Sequence, residues 1–85
     1  MGTKNNPSTY DCYATAEADE PMFVLLARDK RAPEMVRMWA DERKNDIAFK
    51  MRPPSDAAQV EEAYACADAM ENWYYAKHPD EKLDE

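Results

Sequence analysis

Cys66 and His78 are the only plausible partners on one element of this sequence for nucleophilic catalysis, which needs a thiol and a base. They lie in a segment that the sequence predicts to be one continuous helix, which puts them about 18 Å apart along the helix axis. A catalytic thiol and imidazole must come within hydrogen-bond distance. We therefore do not expect a catalytic dyad. His78, next to Lys77, is better explained as a cation near the negative end of a helix.

Metal, cofactor and phosphate chemistry also lack a suitable set of residues. Two cysteines and one histidine are too few for a four-ligand zinc site in a single copy. No Glu-x-x-His pair of the kind that holds two metals in helical bundles is present. Ser8 and Ser55 belong to no evident triad, and the single glycine, Gly2, rules out a glycine-rich phosphate loop. We predict that the chain is not an enzyme and uses no metal and no cofactor.

The charge of the chain is acidic and unevenly distributed. The formal net charge is −7 and the pI about 4.6, which opposes direct binding to nucleic acid because such binding neutralises phosphates with cations. Residues 28–52 carry eight bases and five acids, whereas residues 53–85 carry two bases and nine acids. We expect these two segments to pack against each other, within one chain or across a dimer. The alternative is an acidic face that imitates DNA to a DNA-binding protein.

No segment of the sequence has the character of a membrane span or a secretion signal. The longest apolar run, residues 22–27, is far shorter than the ~20 residues that a span requires. The N-terminus lacks the basic, apolar and small-residue regions of a signal peptide. We therefore expect a protein that is not secreted and does not bind membranes, with Cys12 and Cys66 as reduced thiols.

Two helices are predicted from hydrophobic periodicity. The first spans residues 33–48, with a proline in its first turn and a recurrent apolar face made of Met35, Val36, Trp39, Ala40, Arg43 and Ile47. The second begins at Asp56, which has capping-box spacing to Gln59, and ends at Lys77. Its small side chains would let another helix approach closely. The face that would meet this neighbour, which we call the seam, is formed by Val60, Ala63, Ala67, Met70 and Tyr74.

Residues 22–27 are ambiguous by periodicity alone. Asp19, Glu20 and Pro21 resemble a helix entry, with acids and a proline in the first turn. We therefore predict a short helix here. The alternative is a strand, which would leave backbone groups unpaired unless a second chain supplied the partner. Arg28 and Asp29 then lie at the junction between the first two helices. They form either a structural corner there, which we favour, or part of a surface.

Both ends of the chain are predicted to be less ordered than the middle. Residues 1–18 form an N-terminal arm, flexible at its polar beginning, in which Tyr10 and Tyr13 would lie as a strap across a groove of the domain. Residues 19–78 form one helical domain, and residues 79–85 a charged, fraying tail. Short helices cannot bury Trp73, Tyr74 and Tyr75 together, because successive side chains point about 100° apart. Either the arm or another chain is expected to cover the remainder.

Two stretches of the sequence resemble a group of phage proteins. The stretch from Asp19 to Asp29, followed by Ala32-Pro33, Val36 and Trp39-Ala40, is similar to the opening of small hypothetical proteins encoded by tailed phages and by prophages. The stretch from Ala65 to Trp73 is similar to their closing helix. The resemblance implies a phage origin and a location in the cytoplasm of the bacterial host. It implies no activity and transfers no functional residues.

The sequence as a whole predicts an all-α protein, a hairpin-like bundle of two or three helices with an extended N-terminal arm, expected to form a homodimer. We expect a phage accessory protein that binds a host or phage protein, inhibiting or redirecting a host protein or defence system. The alternatives are a small-ligand sequestering protein of nucleotide type, a minor virion or assembly component, and the acidic DNA mimic. Aromatic and arginine side chains are enriched in interfaces, so the candidate binding residues are Tyr10, Tyr13, Arg28, Arg31, Arg37, Trp73 and Tyr75.

Overall fold

The computed structural model describes residues 1–82, and the predicted tail residues 83–85 lie outside that range. The chain is all-α, as predicted. Its elements are α1 (Cys12–Thr15), α2 (Ala32–Ala48), a 3₁₀ turn (Pro54–Asp56), α3 (Ala57–Lys77) and α4 (Pro79–Lys82). In the part of the chain described, no helix is both long and apolar enough to cross a membrane.

The two long helices lie side by side in opposite directions. Three contacts establish this arrangement, because their partners run in reverse order along the two helices. Arg37 bonds Asp68 and Glu71, Asp41 accepts from the hydroxyl of Tyr64, and Arg43 lies near Asp56 at the start of α3. The molecule is therefore built around an α2–α3 hairpin.

The beginning and end of α2 are set by local hydrogen bonds. Asp29 accepts the backbone N–H of Arg31 at 2.9 Å through its carboxylate, which forms a local turn just before the helix. Pro33 lies in the first turn, where it sacrifices no hydrogen bond. At the other end the N–H groups of Lys50 and Met51 donate to the carbonyls of residues 47 and 46. This closes the helix as a Schellman motif, with Lys50 at a positive φ of 62°.

The predicted bounds of α3 are confirmed, but the predicted capping box is wrong. Asp56 is the N-cap residue, yet its side chain makes no cap hydrogen bond. Its carboxylate instead binds Arg52 at 2.7 Å and lies 3.8 Å from Arg43. Two cations compete successfully for this carboxylate because charge-assisted bonds are stronger than a bond to a neutral N–H.

The interface between the long helices is built mainly from alanine. Ala40, Ala63 and Ala67 are fully buried and Val60 is nearly so, which confirms the predicted seam of α3. Four half-buried side chains pack around this centre, those of Met1, Val36, Ile47 and Tyr64. Small side chains let the helices approach closely, but they also remove little apolar surface from water. No large side chain among the described residues is fully buried.

The predicted helix over residues 22–27 is wrong. Residues 20–26 run without a helical turn or bend. A helix of six residues would be costly to nucleate, and one that is apolar on every side would still leave most of its surface in water. In the observed conformation Leu25 and Ala27 are half-buried against the body, whereas Phe23 is 87% exposed.

The ends of the chain are more structured than the sequence predicted. Residues 1–8 form a compact turn in which Gly2 pairs with Pro7, and the terminal ammonium of Met1 donates to the carbonyl of Tyr10 at 2.7 Å. Gly2 has a φ of 115°, which a side chain would strain. Residues 79–82, predicted to fray, form α4 because Glu81 bonds Tyr74.

Candidate functional site

Arg37 is the main electrostatic link between the two long helices. Its guanidinium donates to Asp68 at 2.8 Å and to Glu71 at 3.3 Å, both on α3. The hydrogen bonds to these carboxylates raise the pKa of Arg37 above its ordinary value. Two acids of the predicted acidic face are therefore neutralised within the chain, as expected for basic and acidic segments that pack together.

Arg37→Ala is expected to lower the free energy of unfolding by about 0.5–1 kcal/mol, since a partly exposed pair network contributes this much. Arg31→Ala is the matched control, because the Arg31–Glu34 pair lies within one helix and its side chains are 83% and 61% exposed. Its effect should not exceed about 0.3 kcal/mol. Urea denaturation followed by circular dichroism measures both values. Equal losses in the two variants would contradict this role of Arg37.

Tyr74 connects α3 to α4. Its hydroxyl donates to Glu81 at 2.6 Å, and Glu81 also lies 3.4 Å from the ammonium of Lys30. The ring of Tyr74 stacks on His78 with 4.2 Å between centroids, which places the histidine in a packing role. The bond to Glu81 raises the pKa of Tyr74 to about 12 and lowers the pKa of Glu81.

These shifts predict a specific pH dependence. The raised pKa of Tyr74 contributes stability below its unfolded pKa near 10, and this contribution is lost as the pH rises toward about 12. The lowered pKa of Glu81 contributes stability above its unfolded pKa near 4.3, and this contribution is lost as the pH falls through the folded value.

NMR titration of the ring resonances measures the alkaline shift. In the unmodified protein the ring of Tyr74 should titrate about two pH units higher than it does in a Glu81→Gln variant. The hydrogen-bonded carboxylate is absent from that variant. Titration of Tyr74 at the same pH in the unmodified protein and in the Glu81→Gln variant would contradict the Tyr74–Glu81 bond.

A groove lies between the N-terminal turn, the end of the extended segment and α3. We call it the Trp73 groove; residues 2–4 form one wall, and its other main residues are Leu25, Leu26, Arg28, Cys66, Met70 and Trp73. Its volume is about 460 Å³. Trp73 is 47% exposed, with the ammonium of Lys77 5.4 Å from its ring centroid. The groove therefore combines an apolar floor with cations at its edge.

The predicted binding arginines do not form one cluster. Arg28 lines the Trp73 groove, whereas Arg31 pairs with Glu34 and Arg37 with acids of α3. Arg28 and Trp73 are the two predicted residues that the fold brings to one site. Arg37 is instead a structural contact between helices.

The predicted aromatic strap does not cover α3. Tyr13 lies in α1 and is exposed to water, and Tyr10 is half-buried, with its carbonyl bonded to the ammonium of Met1. Residues 2–4 take the position against α3 that we expected for the two tyrosines. Tyr75 is half-buried, with its ring 5.4 Å from that of Tyr74 in an edge-to-face contact. Trp73 is therefore left largely uncovered by the arm.

Groups suited to metal binding or thiol chemistry are dispersed over residues 1–82. In that range no three His, Cys, Asp or Glu side chains are placed to hold a metal ion. Cys12 is exposed on α1, while Cys66 lies in the Trp73 groove, and both are free thiols.

Comparison with protein-family models, with curated proteins and with solved structures finds no match to this chain. The site is therefore interpreted from its own residues.

Sequence reasoning missed the exposed apolar surface of the segment that leads into the groove. Phe23 and Val24 are 87% and 67% exposed, although they belong to the most apolar run of the chain. The signal was present: residues 22–27 have no helical periodicity and no second strand to pair with. Such a run is more consistent with a surface that another chain completes than with a core element.

Proposed function

We propose that this chain is a non-catalytic protein that acts by binding another protein. The observation that carries the proposal is the apolar surface that the fold leaves in water. Among the described residues, eleven large apolar side chains are exposed, while four of the six buried apolar residues are alanines. Soluble monomers rarely leave extensive apolar patches in water, and such patches mark sites of interaction.

The total surface area supports the same proposal. The chain exposes 6998 Å², whereas a folded monomer of this mass exposes about 5,200 Å² on average. The excess of roughly 1,800 Å² is more than the ~800 Å² that each partner contributes to an interface of standard size. The Cα radius of gyration of 14.4 Å likewise exceeds the ~12 Å of an average chain of this length. A partner would remove this surface from water.

The binding surface proposed is the Trp73 groove together with Phe23. Aromatic, methionine and arginine side chains are the types enriched in interfaces, and hot spots concentrate in Trp, Tyr and Arg. Trp73, Met70 and Arg28 line the groove, and the exposed Phe23 lies two residues before Leu25 on the segment that enters it. We infer a target protein with a protruding apolar side chain and a carboxylate for Arg28.

The biological setting proposed is that of a tailed phage. The similarity of residues 19–40 and 65–73 to small phage and prophage proteins supports an accessory protein in the cytoplasm of the bacterial host. Its target would be a host or phage protein, with inhibition or redirection of a host enzyme or defence system as the consequence.

Affinity capture from host lysate, with mass spectrometry of the recovered proteins, tests the proposal. The unmodified chain should recover one protein at stoichiometric yield. A Phe23→Ser/Trp73→Ala double variant should recover at least about tenfold less, because truncation of central interface residues costs more than about 1.4 kcal/mol. Phe49→Ser is the matched control, since Phe49 is 77% exposed but outside the groove. Equal recovery by the double variant would contradict the proposed surface.

A sequestering protein for a small nucleotide-type ligand is the second candidate. The volume of the groove is within the 300–1,000 Å³ range of ligand sites, and Trp73 and Arg28 could stack on a base and pair with a phosphate. Mass spectrometry of small molecules released on denaturation distinguishes the two functions. A released nucleotide without a captured protein would favour this candidate.

A further inference from the structure

The backbone of residues 21–25 leaves its hydrogen-bonding groups unused. Within residues 1–82, the N–H groups of residues 22–25 have no hydrogen-bond acceptor, and the carbonyls of residues 21–25 have no donor. This segment runs without a turn or bend, and a turn follows it in which the N–H of Asp29 bonds the carbonyl of Leu26. A row of unpaired donors and acceptors at the surface is a template to which another strand can add.

The same segment leads directly into the Trp73 groove. Leu25 and Leu26 line the groove together with Trp73, and residues 22–24, which precede them, are exposed. A strand that pairs with residues 22–25 therefore ends beside the groove, where its next side chains can contact Trp73. The groove has the volume of a small-molecule site, about 460 Å³, so it can receive a few side chains of a partner but not a folded domain.

The charge of the groove is opposite to that of the chain as a whole. Lys4 and Arg28 line the groove, and none of the described residues that line it is acidic. Neither cation forms an ion pair within residues 1–82, whereas Arg37 has two acidic partners. Lys77 adds a third positive charge, 5.4 Å from the ring centroid of Trp73. In a chain of net charge −7, this local positive charge is complementary to an acidic partner.

Backbone, apolar floor and charge together specify the conformation and the chemistry of the partner. A helix bonds its own backbone groups internally, so a helical partner would leave the groups of residues 22–25 unused. A nucleotide could contact Trp73 and Arg28 but has no peptide backbone to pair with the segment. An extended peptide with an apolar side chain and neighbouring carboxylates uses all three features, because strand addition takes its affinity from main-chain hydrogen bonds and its specificity from side-chain pockets.

We propose that the target binds through an extended acidic peptide segment, which adds as a strand to residues 22–25 and enters the Trp73 groove. An apolar side chain of this segment contacts Trp73, and its carboxylates lie beside Lys4 and Arg28. The inference rests on the proposed binding function, for which it names the kind of segment that the target presents. Strand addition supplies the hydrogen-bond partners that residues 22–25 lack within the described chain.

Three synthetic peptides test the proposal with the unmodified 85-residue chain. The probe is acetyl-Asp-Asp-Val-Thr-Leu-Thr-Val-Asp-Asp-amide, whose residue order is the same from either end, so that its binding does not depend on the direction of pairing. Isothermal titration calorimetry should detect binding of this peptide below about 1 mM. The same peptide with lysine at the four acidic positions should bind at least about tenfold more weakly. A third peptide, N-methylated at the three central amides, keeps every side chain of the probe but loses donors on both edges, and should also bind at least about tenfold more weakly.

Variants of the chain then locate the binding site. Lys4→Glu/Arg28→Glu should reverse the preference, so that the lysine peptide binds more tightly than the acidic probe. Lys44→Glu/Lys50→Glu is the matched control, because it makes the same change in net charge at two exposed cations outside the groove, and it should still prefer the acidic probe. Amide exchange at residues 22–25 of the unmodified chain should slow when the probe binds.

Any of four results with the unmodified chain would overturn the proposal. The first is no binding of the acidic probe at about 1 mM, and the second is equal binding of the acidic and lysine peptides. The third is equal binding of the probe and its N-methylated form, which would mean that no strand is added. The fourth is slow amide exchange at residues 22–25 in the chain alone, increasing with its own concentration, which would make a second copy the occupant.

The affinity capture described above separates this inference from the proposed function. A captured target that the acidic probe does not displace, and that leaves exchange at residues 22–25 fast, would retain the binding function and overturn strand addition. Binding of the probe with slowed exchange at residues 22–25, together with an empty capture, would retain the strand-addition site and contradict the function in the host.

Discussion

Ala63→Leu is expected to lower the free energy of unfolding by about 2–3 kcal/mol, since inserting side-chain volume into a closely packed interface forces the surrounding structure apart. Ala63 is fully buried in one cluster with Ala40 and Val60. Its methyl group is compatible with the close approach of α2 and α3, and an isobutyl group is not. A chain with so small a core has little stability to lose, so this variant is expected to be partly unfolded at 37 °C.

Ala65→Leu is the matched control, because Ala65 is exposed on the same helix two residues away. Leucine is a good helix former, so this change should alter the free energy of unfolding by less than about 0.5 kcal/mol. Urea unfolding at one fixed protein concentration measures both, because self-association makes apparent stability depend on concentration. A similar loss in both variants would mean that the helices do not meet at Ala63.

Tyr74→Ala is expected to lower the melting temperature by more than about 12 °C, because truncating a large buried side chain is among the most destabilising changes. The variant loses the stacking of the ring on His78, its contact with Tyr75 and the bond to Glu81. Differential scanning calorimetry at neutral pH measures the change.

Tyr74→Phe separates the contribution of the ring from that of the hydroxyl group. The ring and its packing remain, and only the hydroxyl that donates to Glu81 is removed. A hydrogen bond to a charged group contributes less to stability when water has access to it than when it is buried, so the melting temperature should fall by only a few degrees. A fall as large as that of Tyr74→Ala would contradict the assignment of most of the effect to packing.

The fold leaves large apolar side chains uncovered. The α2–α3 hairpin buries alanines, while Phe23, Val24 and Trp73 are in contact with water. Target binding at the Trp73 groove, as proposed, would cover part of that surface and would make the stability of the fold depend on the target.

Much of the helical architecture could be predicted from local features. The bounds of α2 and α3 follow from a proline in the first turn, a double proline between the helices and a regular apolar spacing. The buried seam followed from the same spacing. These features depend on interactions within about four residues, which a single sequence displays directly.

The candidate site could be predicted only in part. Arg28 and Trp73 were both singled out, and the fold brings them to one groove, but Arg37 proved to be a structural ion pair. The pairing of Asp56 with Arg43 instead of with the backbone was likewise not predictable from capping rules. In both cases a long, flexible arginine reached an acid on another element, and side-chain reach of this kind leaves no periodic signal in the sequence.

The sequence by itself determined that this is an acidic, all-α chain with two long helices and an alanine seam, because composition, prolines and periodicity act locally. Only the tertiary structure decided the conformation of residues 22–27 and the position of the N-terminal turn. A short apolar run is compatible with helix or strand, and the choice depends on which neighbouring surface can cover it. That surface comes from residues distant in the chain.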